Sequence, residues 1–167
     1  LKFTTLLAAG AADFNGVTIK KSFKDIKNHN PCMTQKFSAD PGVMEYNGRV
    51  YVYGTNDGYL QDSAPADNDY GKIKQVNMMS SDDLVNWMDH GSINVAGGAA
   101  KWAANSWAPT AAHKTINGKE KFFLYFANNA SGIGVLSADS PTGPWTDPIG
   151  RALISRQTPN SNVEWLF

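Results

Sequence analysis

Few residue types in this chain are placed to do chemistry. The histidines, His29, His90 and His113, show no metal-ligand spacing and adjoin no serine or cysteine motif, so neither metal hydrolysis nor a catalytic triad is supported. Gly97-Gly98 and Gly132-x-Gly134 do not lead from a strand into a helix, which removes the phosphate cradle of nucleotide-binding proteins. The single cysteine, Cys32, excludes an intrachain disulfide framework and a multi-cysteine zinc site, and it reads as a small buried residue. Carboxylates and aromatics remain. Asp40 precedes Pro41 at the head of an apolar run, and the proline fixes the backbone beside the carboxylate; capping a turn is the other use of such an aspartate. Glu45 and Glu120 flank turns and Glu164 has no matching motif, so these three read as solvated surface charge.

The elements that must position Asp40 emerge from an internal repeat. One unit opens at Asp40-Pro41, reaches Asn47-Gly48 and continues through Arg49 to Asp57; the other opens at Ala108-Pro109, reaches Asn117-Gly118 and continues through Lys119 to Asn128. Asn-Gly between apolar, aromatic-rich runs predicts a hairpin, because both turn residues need positive φ. Ile73 to Gly91 then lies over Gly132 to Gly150, each a third strand, a polar turn and a tryptophan, Trp87 or Trp145, read as blade-locking core residues. Each unit predicts an up-and-down sheet of three strands plus a fourth, recurring after roughly 60 to 70 residues, which is a propeller blade. A β-sandwich, the structural alternative, would not require the tryptophan turn to recur, and the single helix-compatible stretch, Lys20 to Lys27, is too short for a βαβ fold. The first residue of a blade's inner strand points toward the propeller axis, so Asp40 is expected at a pocket. Trp107 precedes the second inner strand as Ser38-Ala39 precede Asp40, which puts its indole at the funnel rim, with inter-blade packing as the competing use.

Of the 167 residues, 42% are hydrophobic and 18% charged, the composition of a compact water-soluble domain. Fifteen basic and fifteen acidic side chains cancel, and no apolar run approaches the ~20 residues of a membrane-spanning helix, so neither nucleic acid nor membrane is an expected partner. Residues 1–30 are expected to form an N-terminal segment in which Leu1 to Ala12 resembles the end of a secretory signal, and the sequon Asn129-Ala130-Ser131 agrees with an extracellular location. Residues 31–167 read as an all-β partial propeller: blade 1 over about 40–95, blade 2 over about 105–150, and the start of a third over about 160–167. A propeller needs at least four blades, so the remaining ones are expected on further chain or a second polypeptide, and this chain alone is expected to be inactive.

The run Lys36 to Met44 followed by Tyr46 to Tyr53, and then Asn105-Ser106-Trp107-Ala108-Pro109, Phe122 to Asn128, Gly132 to Val135 and Asp139 to Trp145, resembles the glycoside hydrolase family 43 enzymes. These are five-bladed propellers that remove xylose or arabinose from plant cell-wall polysaccharides, and the similarity runs from about Phe37 to Phe167. The resemblance makes Asp40 the general base, which activates a water for attack with inversion opposite an acid about 6.5–9.5 Å away. It places the two other site carboxylates, a third-blade aspartate and a fourth-blade glutamate, beyond Phe167. It sets Trp107 in the sugar pocket, and Asn56 and Asp57 near the sugar, although turn chemistry explains the last two equally well. No cofactor is implied; some members hold a cation near the axis through a later-blade histidine.

The expected function is release of terminal xylose or arabinose from xylan-derived oligosaccharides. Two alternatives stand beside it: a non-catalytic carbohydrate-binding propeller, and the related fructan and sucrose hydrolases, which act with retention. The latter usually carry an asparagine before the aspartate, where this chain has Ala39.

Overall fold

The computed structural model describes residues 31–57, 70–161 and 166, together with the strand backbone at 13–14 and 17–18. The signal-like residues Leu1 to Ala12 and the stretch Lys20 to Lys27 lie outside the described residues. A short antiparallel pair, β1 (Asp13–Phe14) and β2 (Val17–Thr18), comes first. Strands β3 (Ser38–Tyr46), β4 (Arg49–Asn56), β5 (Gln75–Ser81) and β6 (Met88–Asn94) then form one antiparallel sheet in sequence order, with a 3-10 turn at Tyr70–Lys72 leading into β5. Strands β7 (Trp107–Ile116), β8 (Lys119–Ala127), β9 (Gly132–Ala138) and β10 (Ile154–Ser155) repeat that meander as a second sheet.

Local chemistry accounts for the hairpins. Asn47 and Gly48 have φ of 53° and 76°, and Asn117 and Gly118 have 51° and 74°, the double positive-φ turn whose twist matches that of the strands it joins. Glu45 Oε1 accepts the Gly48 N–H at 2.7 Å, so this carboxylate caps its own turn. Cys32, expected to be buried, is exposed.

The core lies where the two sheets face each other. Met44, Tyr51 and Tyr53 of the first sheet meet Phe122, Leu124 and Phe126 of the second; within β4 and β8 these residues keep the two-residue period that holds side chains on one face, and Met44 is the cross-strand partner of Tyr51. Tyr53 is fully buried, donates its hydroxyl hydrogen to Pro141 O at 2.6 Å and meets Trp145 edge to face at a centroid distance of 6.1 Å. Trp145 therefore locks blade to blade as expected, whereas Trp87 is only half-buried and stands outside the core cluster. The connection from β6 to β7 fills the remaining gap with Val95, Ala96, Ala100 and Ala103. Trp102 on this connection stacks on Phe126 and donates its indole N–H to Asp147 Oδ2 at 2.7 Å, so it serves packing.

Candidate active site

Both inner strands are bulged near their start. Ala39 pairs with Thr55 and Gly42 with Tyr53, leaving Asp40 and Pro41 opposite Gly54 alone; Trp107 pairs with Ala127 and Thr110 with Tyr125, leaving Ala108 and Pro109 opposite Phe126. At each bulge the residue before proline takes positive φ, 50° at Asp40 and 43° at Ala108. Sequence reasoning starts the inner strand at Asp40; the strand in fact begins at Ser38, and Asp40 is its third residue. The bulge, rather than the strand's end, turns the carboxylate out of the ladder.

Asp40 is exposed, and one of its oxygens is held. Thr55 Oγ1 donates to Asp40 Oδ2 at 2.9 Å, and the same hydroxyl accepts the Ala108 N–H at 2.9 Å. Thr55 is 2% exposed, so a buried hydroxyl from β4 ties the bulge of one sheet to that of the other and fixes the carboxylate between them. Among the described residues Asp40 Oδ1 has no hydrogen-bond partner, which leaves an acceptor facing solvent. Such a carboxylate can orient a water and take its proton.

Trp107, next to Ala108, is the first residue of β7 and is half-buried. Its indole N–H donates to Tyr70 O at 3.1 Å, and its ring meets Tyr70 at 6.0 Å with a 64° interplanar angle. The segment before it is anchored from both sides. Asn105 donates its side-chain amide to the carbonyls of Tyr70, Gly71 and Ile73 at 3.0–3.2 Å, while Asn128 Oδ1 accepts the N–H groups of Ala104 and Asn105 at 2.9 and 3.1 Å. Asn56 follows Thr55 and so points to the other face of the sheet, where its amide donates to Gln75 Oε1 at 2.9 Å. Asp57 N donates to Phe37 O at 3.3 Å, prolonging the β3–β4 pairing. The structure thus brings Asp40 and the stretch holding Trp107 together through Thr55 and Ala108, and it engages the Asn56 amide on the opposite face. Among the described residues no three His, Cys, Asp or Glu side chains gather as a metal site.

Sequence reasoning missed Thr55, Asn105 and Asn128. The signal for Thr55 is alternation: in Arg49 to Asn56 it shares a face with Tyr51 and Tyr53, whose rings point into the inter-sheet core, while Asn56 does not.

Two consecutive four-stranded meanders packed face to face, with a carboxylate at the bulge of an inner strand, define a segment of a β-propeller with a polar mouth. The model of glycosyl hydrolases family 43 matches residues 28–159, and the chain belongs to that family. Its two sheets are two blades of the five-bladed propeller that the family builds. The chain is 52% identical over 151 residues to an arabinoxylan arabinofuranohydrolase of Paenibacillus polymyxa, a match taking in 84% of this chain and 24% of that protein. It is 53% identical over 155 residues to the enzyme of that name from Bacillus subtilis (strain 168), covering 86% of this chain and 30% of the relative. The crystal structure of a family 43 arabinoxylan arabinofuranohydrolase from Bacillus subtilis in complex with cellotetraose is similar to it with a TM-score of 0.78 at 53% identity, over 83% of this chain and 31% of that one. The chain thus spans less than a third of the length of these relatives.

Proposed function

We propose that this chain forms the base side of the active site of a secreted hydrolase that releases terminal arabinose or xylose from xylan-derived oligosaccharides, with Asp40 as general base. The observation that carries the reading is the exposed Asp40 carboxylate, turned out by a bulge and held through one oxygen by Thr55. Asp40 accepts a proton from water as the water oxygen bonds to the anomeric carbon from the face opposite the departing group. The glycosidic C–O bond breaks, and an acid on a later blade protonates the leaving oxygen, so configuration inverts. Trp107 supplies the apolar face for the sugar ring, with Asp57 contributing at the edge of the site, whereas Asn56 is turned to the opposite face and takes no part.

The remaining blades, on the same or a second polypeptide, supply the acid. Relatives more than half identical to this chain and named arabinoxylan arabinofuranohydrolases favour arabinose on a xylan main chain. Secretion rests on the signal-like residues Leu1 to Ala12 and on the sequon at Asn129, which is exposed on the turn between β8 and β9. The cancelled charge gives no reason to invoke nucleic acid or a membrane surface.

Replacing Asp40 with asparagine in the protein that carries these blades keeps the volume and removes the basic oxygen. Turnover of an aryl arabinofuranoside or xyloside is expected to fall at least ~10²-fold. Activity within a few-fold of the parent overturns the assignment. Product anomers followed by NMR are expected to appear first with inverted configuration, and initial retention points instead to the fructan-type mechanism.

A further inference from the structure

Tyr70 is a large aromatic side chain left 59% exposed on a firmly mounted turn. Its carbonyl accepts from Asn105 Nδ2 at 3.2 Å, Trp107 Nε1 at 3.1 Å and Ile73 N at 3.2 Å, and the same Asn105 amide donates to the carbonyls of Gly71 and Ile73. Carbonyls are acceptors only, so the amide orientation of Asn105 is fixed by its partners, and its two N–H hydrogens are shared among three of them. Asn105 itself is 4% exposed. A buried amide thus anchors the backbone of a turn whose aromatic ring stays outside the core. Among the described residues no core contact accounts for the ring's placement; a rigid, pre-ordered recognition surface does, because the ordering cost is met on folding rather than on binding.

The ring's position sets what it meets. Trp107 adjoins Ala108, whose N–H is bound to Thr55 Oγ1, which in turn holds Asp40. Tyr70 meets Trp107 edge to face at 6.0 Å and is the more exposed of the two rings. The starts of β3, β5 and β7 lie at the same end of their antiparallel sheets, which places Asp40, Tyr70 and Trp107 at one mouth. The geometry points to Tyr70 as a subsite for the main-chain pyranose next to the sugar being released, its ring stacking on the C–H face of a β-linked xylose unit. This rests on the function proposed above and extends it from the reacting sugar to its neighbour.

The experiment compares an aryl α-L-arabinofuranoside, which has no main chain, with an arabinoxylo-oligosaccharide, using the complete enzyme and its Tyr70→Ala and Tyr70→Phe variants. For Tyr70→Ala, kcat/KM on the oligosaccharide is expected to fall about tenfold more than on the aryl substrate, chiefly through KM, the scale of a lost aromatic anchor. Tyr70→Phe keeps the stacking face and should restore the ratio. In parallel, calorimetric titration of xylotetraose into the Asp40→Asn background should show weaker binding when Tyr70→Ala is added. Equal losses on both substrates, or unchanged xylotetraose affinity, overturn the subsite. If the parent hydrolyses neither substrate, the proposed activity has failed, and the xylotetraose titration on its own decides whether Tyr70 binds a pyranose chain.

Discussion

Thr55 donates its hydroxyl hydrogen to Asp40 Oδ2 across 2.9 Å, the direction being enforced because a carboxylate only accepts, and the same hydroxyl oxygen accepts the Ala108 N–H. One buried side chain therefore sets the position of the candidate base and the spacing of two blades. Thr55→Val is nearly isosteric and removes both bonds. Hydrogen bonds to charged groups contribute roughly 1.5–3 kcal/mol, so kcat is expected to drop by about tenfold or more, with KM little changed. Thr55→Ser, which keeps the hydroxyl, should recover most of the loss. A serine variant as impaired as the valine one would reduce Thr55 to a packing residue.

Gly42 marks a close approach between the blades. A Cβ built there would lie 2.3 Å from Pro109 O and 2.7 Å from Thr110 Cα, both backbone atoms unable to move without displacing the second bulge. Gly42→Ala should destabilise by about 1–3 kcal/mol, the scale of core overpacking. The denaturant midpoint measures it, and an unchanged midpoint would mean that the two bulges do not touch.

The Tyr53 hydroxyl bridges the same two blades from a buried position. Burial pushes its phenol pKa up, so it remains a donor to Pro141 O across the accessible pH range. Tyr53→Phe preserves the contact with Trp145 and leaves the Pro141 carbonyl without this donor, at a cost of about 1–3 kcal/mol. Thermal unfolding of the pair of proteins checks it, and an equal melting temperature counts against the bond.

His90 gives the first blade a pH dependence. Arg49 Nε donates to Ser80 Oγ at 2.8 Å, and the same oxygen lies 2.6 Å from His90 Nε2, a hydrogen bond whose direction follows the imidazole's tautomer. Partial burial lowers the His90 pKa, and the Arg49 charge adds to this against a smaller opposing effect from Asp89. A histidine whose folded pKa lies below its unfolded value of 6.5 contributes stability that is fully present above pH 6.5 and is lost as pH falls through the folded value. His90→Gln should flatten the change in denaturant midpoint between about pH 7.5 and 5. A variant with the parent's pH profile would assign that dependence to other groups.

The hairpins of both sheets and the order of their strands are legible in the chain. Asn47-Gly48 and Asn117-Gly118 dictate their turns through backbone sterics alone, and the alternation in Arg49 to Asn56 and Lys119 to Ala127 dictates which side chains face a core. Both are local effects, readable within about ten residues, and their repetition gave the blade architecture. The motifs around Asp40 and Trp107 pointed to the candidate site, and the family to which the chain belongs agrees with the resemblance those motifs carry. What only the tertiary structure decided were the relations between residues far apart in the chain. The bulges at Asp40 and Ala108 depend on how each inner strand pairs with its neighbour, and the bridge through Thr55 exists only once two sheets are packed. Trp87 and Trp145 occupy equivalent places in the repeat, yet Trp145 is buried against Tyr53 while Trp87 is half-buried, because burial is set by what lies across the interface and not by the residue's own strand. The same holds for Tyr70, whose exposed ring acquires a fixed place through hydrogen bonds from Asn105 and Trp107, more than thirty residues away.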